Sequence, residues 1–298
     1  MRVPDEILKC VVFLGVTETS NKPGEPSRDR YAGTAFVVGV AGERLPQGHF
    51  TYLVSAAHVV DRIEGDCWLR VNLTKGGVEQ IDIGERRWVR HPEGKSVDVA
   101  VLPWDMGTEI DHMLVPTRMM LVSSDMFRTR NIGVGDEVFM TGVFASAYGR
   151  ERNSPILRNG NIAMLPEDKI PTKDLGEVDA YLIETHSFGG ISGSPVFVQE
   201  TVALKVNRGE DPPDTPPNTI AGTGSHFLLG LVHGHWEIDE RDINAVHVRG
   251  ARQGEESINL GISIVIPASK IVETLNQPAL VEVRRRAEQR MIEQESLR

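Results

Sequence analysis

The stretch Gly190-Ile191-Ser192-Gly193-Ser194-Pro195 decides how the rest of the chain is read. It sets a serine between glycines, ahead of a proline and the apolar run Val196-Phe197-Val198. Two stretches upstream supply the groups such a serine needs in order to react. These are His58 in Ser55-Ala56-Ala57-His58-Val59-Val60 and Asp98 in Val97-Asp98-Val99-Ala100-Val101-Leu102. A serine hydroxyl is a poor nucleophile at neutral pH unless an imidazole takes its proton and a buried carboxylate holds that imidazole in the right tautomer. Each motif alone has a plainer reading, as a core histidine, a strand-opening aspartate and a turn built from Gly, Ser and Pro. Their coincidence in the order His, Asp, Ser is the informative observation.

The intervals are 40 residues from His58 to Asp98 and 94 from Asp98 to Ser192. Triads recur on unrelated folds in different chain orders, and His then Asp then Ser is the order of a chymotrypsin-like double barrel. Over residues 8 to 275 the chain resembles the trypsin-like (chymotrypsin-fold) serine peptidases. The resemblance implies an all-β fold, a double six-stranded β-barrel with a C-terminal helix. It implies an N-terminal barrel over residues 1–110 carrying His58 and Asp98, a connector over 111–131, a C-terminal barrel over 132–267 carrying Ser192, and a helical extension over 268–298.

The same resemblance implies a serine endopeptidase acting on polypeptides through an acyl-enzyme on Ser192. His58 would move the proton, Asp98 would orient His58, and the N–H groups of Gly190 and Ser192 would form the oxyanion hole. Preorganised donors of that kind usually supply the largest single stabilisation in acyl transfer. No metal or organic cofactor is required. The alternative, from a different class, is a catalytically silent protease-fold binding or scaffold protein within a larger system.

Two features refine the resemblance. In members activated by zymogen cleavage the residue before the serine is an aspartate that pairs with a new N-terminal amine, and here it is Ile191. The chain therefore resembles the bacterial-type members. An α/β-hydrolase reading fails, because its Gly-x-Ser-x-Gly elbow would need glycine at Ser194 and its chain order is Ser, acid, His.

Substrate-binding candidates follow by similarity. The residue six before the nucleophile is His186, and the strand Gly230-Leu231-Val232-His233-Gly234-His235-Trp236 would form the pocket wall. Gly234 leaves room for a substrate backbone paired in extended form. His186 and His233 offer no fixed negative charge, so Arg or Lys at the cleaved position is not expected. An imidazole donating to a carboxylate or amide favours Glu or Gln. His233 and His235 alternate onto one strand face, but no third ligand stands at a plausible spacing, and no metal is expected.

Composition is consistent with this reading. A chain of 298 residues with 40% hydrophobic and 25% charged residues can bury a large core. Its net charge of −10 argues against nonspecific binding to nucleic acid or an anionic membrane. Met1 to Glu6 opens no signal-like segment, and no apolar run approaches the roughly 18 residues needed to span a bilayer. The two cysteines, Cys10 and Cys67, fit a reducing, cytoplasmic setting and read as small apolar residues.

Short apolar runs bounded by turn residues predict many short strands, starting with Leu8 to Leu14. Residues 205 to 219 carry four prolines and several acids and read as an exposed hairpin tip or a mobile loop. Near the C-terminus, Ile271, Val272 and Leu275 share a helix face, and beyond it Leu280, Val283, Ala287 and Met291 form a second helical stripe. That stripe is a candidate surface for a protein partner or a second copy, with a tail docked on its own domain or partly frayed the favoured reading.

Overall fold

The computed structural model describes residues 2–18, 27–45, 48–63, 66–84, 86–172, 175–185, 191–201, 203–206, 218–221, 224–239 and 257–296. The chain opens with a short helix, α1 (Asp5–Leu8), so the strand predicted from Leu8 starts later, as β1 (Val11–Glu18). Pro4 precedes the helix, and Asp5 and Glu6 lie in its first turn, where acidic side chains favour a helix start.

The N-terminal half continues through β2 (Arg28–Ala41), β3 (His49–Ser55), α2 (Ala57–Asp61), β4 (Asp66–Asn72) and β5 (Val78–Asp82). It ends with β6 (Val89–Arg90), β7 (Ala100–Pro103) and β8 (Val115–Pro116). These eight strands form one sheet in the order β5-β4-β1-β2-β3-β7-β6, with β8 added parallel to β2. Sequential neighbours pair antiparallel, as short strands joined by brief turns favour.

A short helix, α3 (Ser124–Thr129), lies in the Met-rich connector, its first turn capped by the Ser123 hydroxyl accepting from Met126 N–H. The second half is built from β9 (Glu137–Gly142), β10 (Ile156–Met164), β11 (Ile170–Thr172), β12 (Gly176–Val178) and β13 (Tyr181–Glu184). It continues with β14 (Pro195–Gln199), β15 (Ala203–Val206), β16 (Asn218–Ala221), β17 (His226–Asp239) and β18 (Ser257–Pro267). Six of these close into a barrel, β10-β13-β18-β17-β14-β9, so the mostly β architecture with a closed six-stranded barrel is as the sequence predicts. β15 and β16 pair as the hairpin on either side of the Pro-rich segment, whose residues 207–217 lie outside the described residues.

The two halves share a core. Phe13, Phe36, Leu53 and Val101 from the first half are buried in one cluster with Phe139, Phe197, Leu228 and Ile266 from the second. Phe139 and Phe197 stack with ring centroids 5.2 Å apart. A buried polar tie adds to this. Arg70 on β4 donates to Asn153 Oδ1 at 2.6 Å and to the Arg150 carbonyl at 2.7 Å, holding the β9–β10 loop against the first sheet.

Two helices close the chain, α4 (Ala268–Leu275) and α5 (Pro278–Ser296). α4 buries Ile271 and Leu275, with Val272 partly covered, on the face that the sequence marks. α5 departs from its predicted stripe. Leu280 is buried, but Val283 and Met291 are exposed, and the buried positions one and two turns further on are Arg284 and Glu288. The polar pair wins because it satisfies backbone groups that apolar side chains could not. Arg284 donates to the Leu275 carbonyl at 2.7 Å and to Tyr52 Oη at 3.0 Å, while Glu288 accepts the N–H groups of Arg44 and Leu45. The helix therefore docks on its own chain. Arg284→Ala strips partners from a buried carbonyl and a phenol, and should lower stability by about 2–3 kcal/mol in urea unfolding. Arg285→Ala, next to it and exposed, should stay within about 0.5 kcal/mol, and equal effects from both would contradict the anchoring role.

Candidate active site

β3 ends at Ser55, whose hydroxyl donates to the Thr34 carbonyl at 2.7 Å, and the fully buried Ala56 turns the chain into α2. Val59 and Val60 pin that helix to the core, which leaves His58 at the surface of the first half with its side chain 19% exposed. The first backbone N–H groups of a helix have no internal acceptor. His58 N–H finds one in Asp98 Oδ1, 2.8 Å away, while His58 Nδ1 lies 2.6 Å from Asp98 Oδ2. One carboxylate thus fixes both the backbone and the ring.

Asp98 stands just ahead of β7 with its side chain 1% exposed. Burial alone would push its carboxyl up. Hydrogen bonds from His233 and His58 outweigh that and hold it well below the usual carboxylate range, so it is ionised and only accepts. The proton on each Nδ1 must then belong to the imidazole, and the lone pair of His58 sits on Nε2.

The nucleophile loop comes from the other half. Gly193 N–H donates to the Val232 carbonyl at 2.8 Å, Val232 N–H to the Ser194 carbonyl at 2.9 Å, and Thr34 N–H to the Ser192 carbonyl at 3.1 Å. Ser192 is thereby tied to both β17 and β2. Gly193 has φ of 81°, and a Cβ there would lie 2.2 Å from the Thr34 carbonyl oxygen, so only glycine fits. Ile191 is buried in the second core, where it serves as packing. Among the described residues no backbone acceptor faces the Ser192 N–H. Gly190, the other oxyanion-hole candidate, and His186, the pocket-base candidate, lie outside the described residues.

Ser192 Oγ donates to the His233 carbonyl at 3.1 Å, and the bond that would join it to His58 is not made. Catalytic hydrogen bonds are often loose in the absence of substrate.

His233 is not where the sequence puts it. Its Nδ1 lies 2.5 Å from Asp98 Oδ2, the oxygen that His58 also uses, and the two imidazole rings meet edge to face at 5.2 Å. The ring is thereby engaged on Asp98, a contact the sequence does not announce. The cause is local. β17 pairs Val232 with Val265 and Gly234 with Ile264, so His233 is an extra residue in a β-bulge, which turns its side chain out of the simple alternation. Gly234 remains on the strand with open space where a Cβ would stand.

His58, Asp98 and His233 bring three metal-ligand atoms within 4.8 Å of one another. Their nitrogen-to-oxygen separations of 2.5 and 2.6 Å are those of N–H···O bonds, shorter than the about 3.3 Å between ligands around a tetrahedral zinc ion. In a second such group, His91, Glu93 and Glu273, the two carboxylates already hold the Lys270 ammonium at 3.0 and 3.1 Å, and His91 Nε2 lies 3.0 Å from Glu273. Burial pushes the Cys67 thiol up to about 12 and the Cys10 thiol up as well, so neither is a reactive thiolate. No described helix is long and apolar enough to cross a membrane.

No protein-family model and no curated protein matches the chain. Among solved structures it is similar to the MamO protease domain from Magnetospirillum magneticum in its apo form, at 14% identity and a TM-score of 0.48, covering 92% of this chain and 99% of that one. It is similar to the HtrA-type protease AlgW with decapeptide at 14% identity and a TM-score of 0.49, covering 90% of this chain and 64% of that one. Deg5 is similar at 15% identity and a TM-score of 0.40, covering 64% of this chain and 75% of that one.

Proposed function

We propose that the protein is a serine endopeptidase. The observation that carries this reading is the buried Asp98 carboxylate holding His58 by ring and backbone, at 2.6 and 2.8 Å, beside a nucleophile loop anchored to both halves of the molecule. Substrate binding brings a peptide carbonyl to Ser192. His58 Nε2 takes the hydroxyl proton as Oγ attacks, and the tetrahedral oxyanion is met by the N–H groups of Ser192 and Gly190. His58 returns the proton to the leaving amine, and water repeats the sequence to release the acid. Asp98 stays ionised throughout and stabilises the imidazolium.

A catalytically silent binding or scaffold role has one observation in its favour, the Ser192 hydroxyl resting on the His233 carbonyl and not on His58. Incubation with a peptide library, read by mass spectrometry, separates the two. Cleavage lost on Ser192 substitution supports the peptidase, and an intact library with a folded protein supports the scaffold. With His233 turned to Asp98, the preference for Glu or Gln over Arg or Lys rests on His186.

A further inference from the structure

Trypsin-like chemistry needs one imidazole on the triad carboxylate, and here there are two. We propose that His233 is a positioning residue of the catalytic unit, its Nδ1–H holding Asp98 jointly with His58 so that one carboxylate serves two imidazoles. The inference rests on the reading of Ser192, His58 and Asp98 as a triad.

The bulge at Val232 to Gly234 is what delivers the second ring, because it turns His233 toward the first half while Val232 stays bonded to the nucleophile loop. His233 is then in touch with both ends of the reacting group. Its ring donates to Asp98 Oδ2 at 2.5 Å, and its carbonyl accepts from Ser192 Oγ at 3.1 Å. Its side chain is 11% exposed and that of Asp98 1%, so the contact between them is largely shielded from solvent. Among the described residues Oδ1 takes the His58 backbone N–H alone, and both rings turn to Oδ2, so they compete for the charge on that oxygen.

That competition has a consequence for reactivity. The groups whose charges act on Asp98 are His58, on α2, and His233, on β17; Ser192, the facing residue of the nucleophile loop, is uncharged. A second donor on Oδ2 draws part of the carboxylate's charge away from His58. Removing it leaves that charge to His58 alone, favours the imidazolium, and raises the pH at which the base is lost. It also frees Asp98 to pivot, which misplaces the base. The two rings also meet edge to face with centroids 5.2 Å apart, so each is held against the other as well as against Asp98.

The test compares His233→Ala with His233→Asn in the full chain. An asparagine amide nitrogen stands the same number of bonds from Cβ as Nδ1, so Asn keeps the donor and removes the titration. The expected result for Ala is a kcat lower by about 10- to 100-fold with KM within about threefold. The acid limb of kcat/KM should move to higher pH by about half a unit or more. Asn should restore kcat to within a few fold and return the limb. An active wild type whose Ala variant keeps the same kcat and acid limb would overturn the proposal, as would Asn failing to rescue a folded protein.

A second readout does not depend on turnover. With ¹⁵N-labelled histidine, the wild type should show two far-downfield ring protons on Nδ1, His233→Asn one, and Asp98→Asn neither. A single such proton, insensitive to position 233, would refute the shared carboxylate. A wild type that shows both protons but hydrolyses nothing overturns the triad reading instead, and with it the catalytic role of the second ring.

Discussion

Ser192→Ala is expected to abolish peptide hydrolysis, lowering kcat by about 10⁶-fold. Ser192 Oγ, which rests on the His233 carbonyl, is the atom that attacks in the proposed mechanism. Among the described residues the hydroxyl makes one hydrogen bond, so stability should change by no more than about 1 kcal/mol. His58→Ala should lose nearly as much rate, and the double variant little more than either, since members of a triad act as a unit. Rate measurements on the three variants check this, and additive losses would place the two residues on separate steps.

Asp98→Asn should lower kcat by about 10⁴-fold, the next largest effect. The asparagine amide carries a donor where Asp98 only accepts, so at least one of three N–H groups, two from His58 and one from His233, loses its acceptor. The His58 ring then has reason to adopt the tautomer with hydrogen on Nε2, which cannot take a proton from serine. The stability curve should change too, in acid. The folded carboxyl is held well below its ordinary range. Between that low value and the unfolded value of about 4, the unfolded chain binds the proton and the folded one does not. Stability from Asp98 is therefore full above about pH 4 and falls as pH drops below it. Melting temperatures measured across that window should fall less steeply for Asp98→Asn, and parallel curves would contradict the assignment.

The meeting of His58 with Asp98 and the turn at Gly193 were legible because each restricts residue type at short range. An aspartate opening β7, a histidine in the first turn of α2 and a glycine at φ of 81° beside the serine are local requirements written into adjacent residues. Strands were legible as short apolar runs bounded by turn residues, the first of them beginning at Val11 where the sequence suggests Leu8.

His233 was not legible in its role. Period-two alternation sets His233 and His235 on one face of β17, and a bulge breaks that rule through a pairing register with β18 more than twenty residues away. The tail failed in a similar way. A helical stripe weighs apolar side chains, but Arg284 and Glu288 are buried for the carbonyl and amides they satisfy, which belong to segments remote in sequence. Nor does anything local in the chain announce the Arg70–Asn153 tie across the two halves.

The most direct measurement of the central claim is labelling of the native protein with a fluorophosphonate, followed by intact mass and peptide mapping. Such a probe reports whether a serine is activated by its base and faced by an oxyanion hole, without requiring a known substrate. The account predicts one adduct, on Ser192, absent from Ser192→Ala and slowed at pH values where His58 is protonated. A folded wild type that takes up no label, or takes it up elsewhere in the chain, would contradict it.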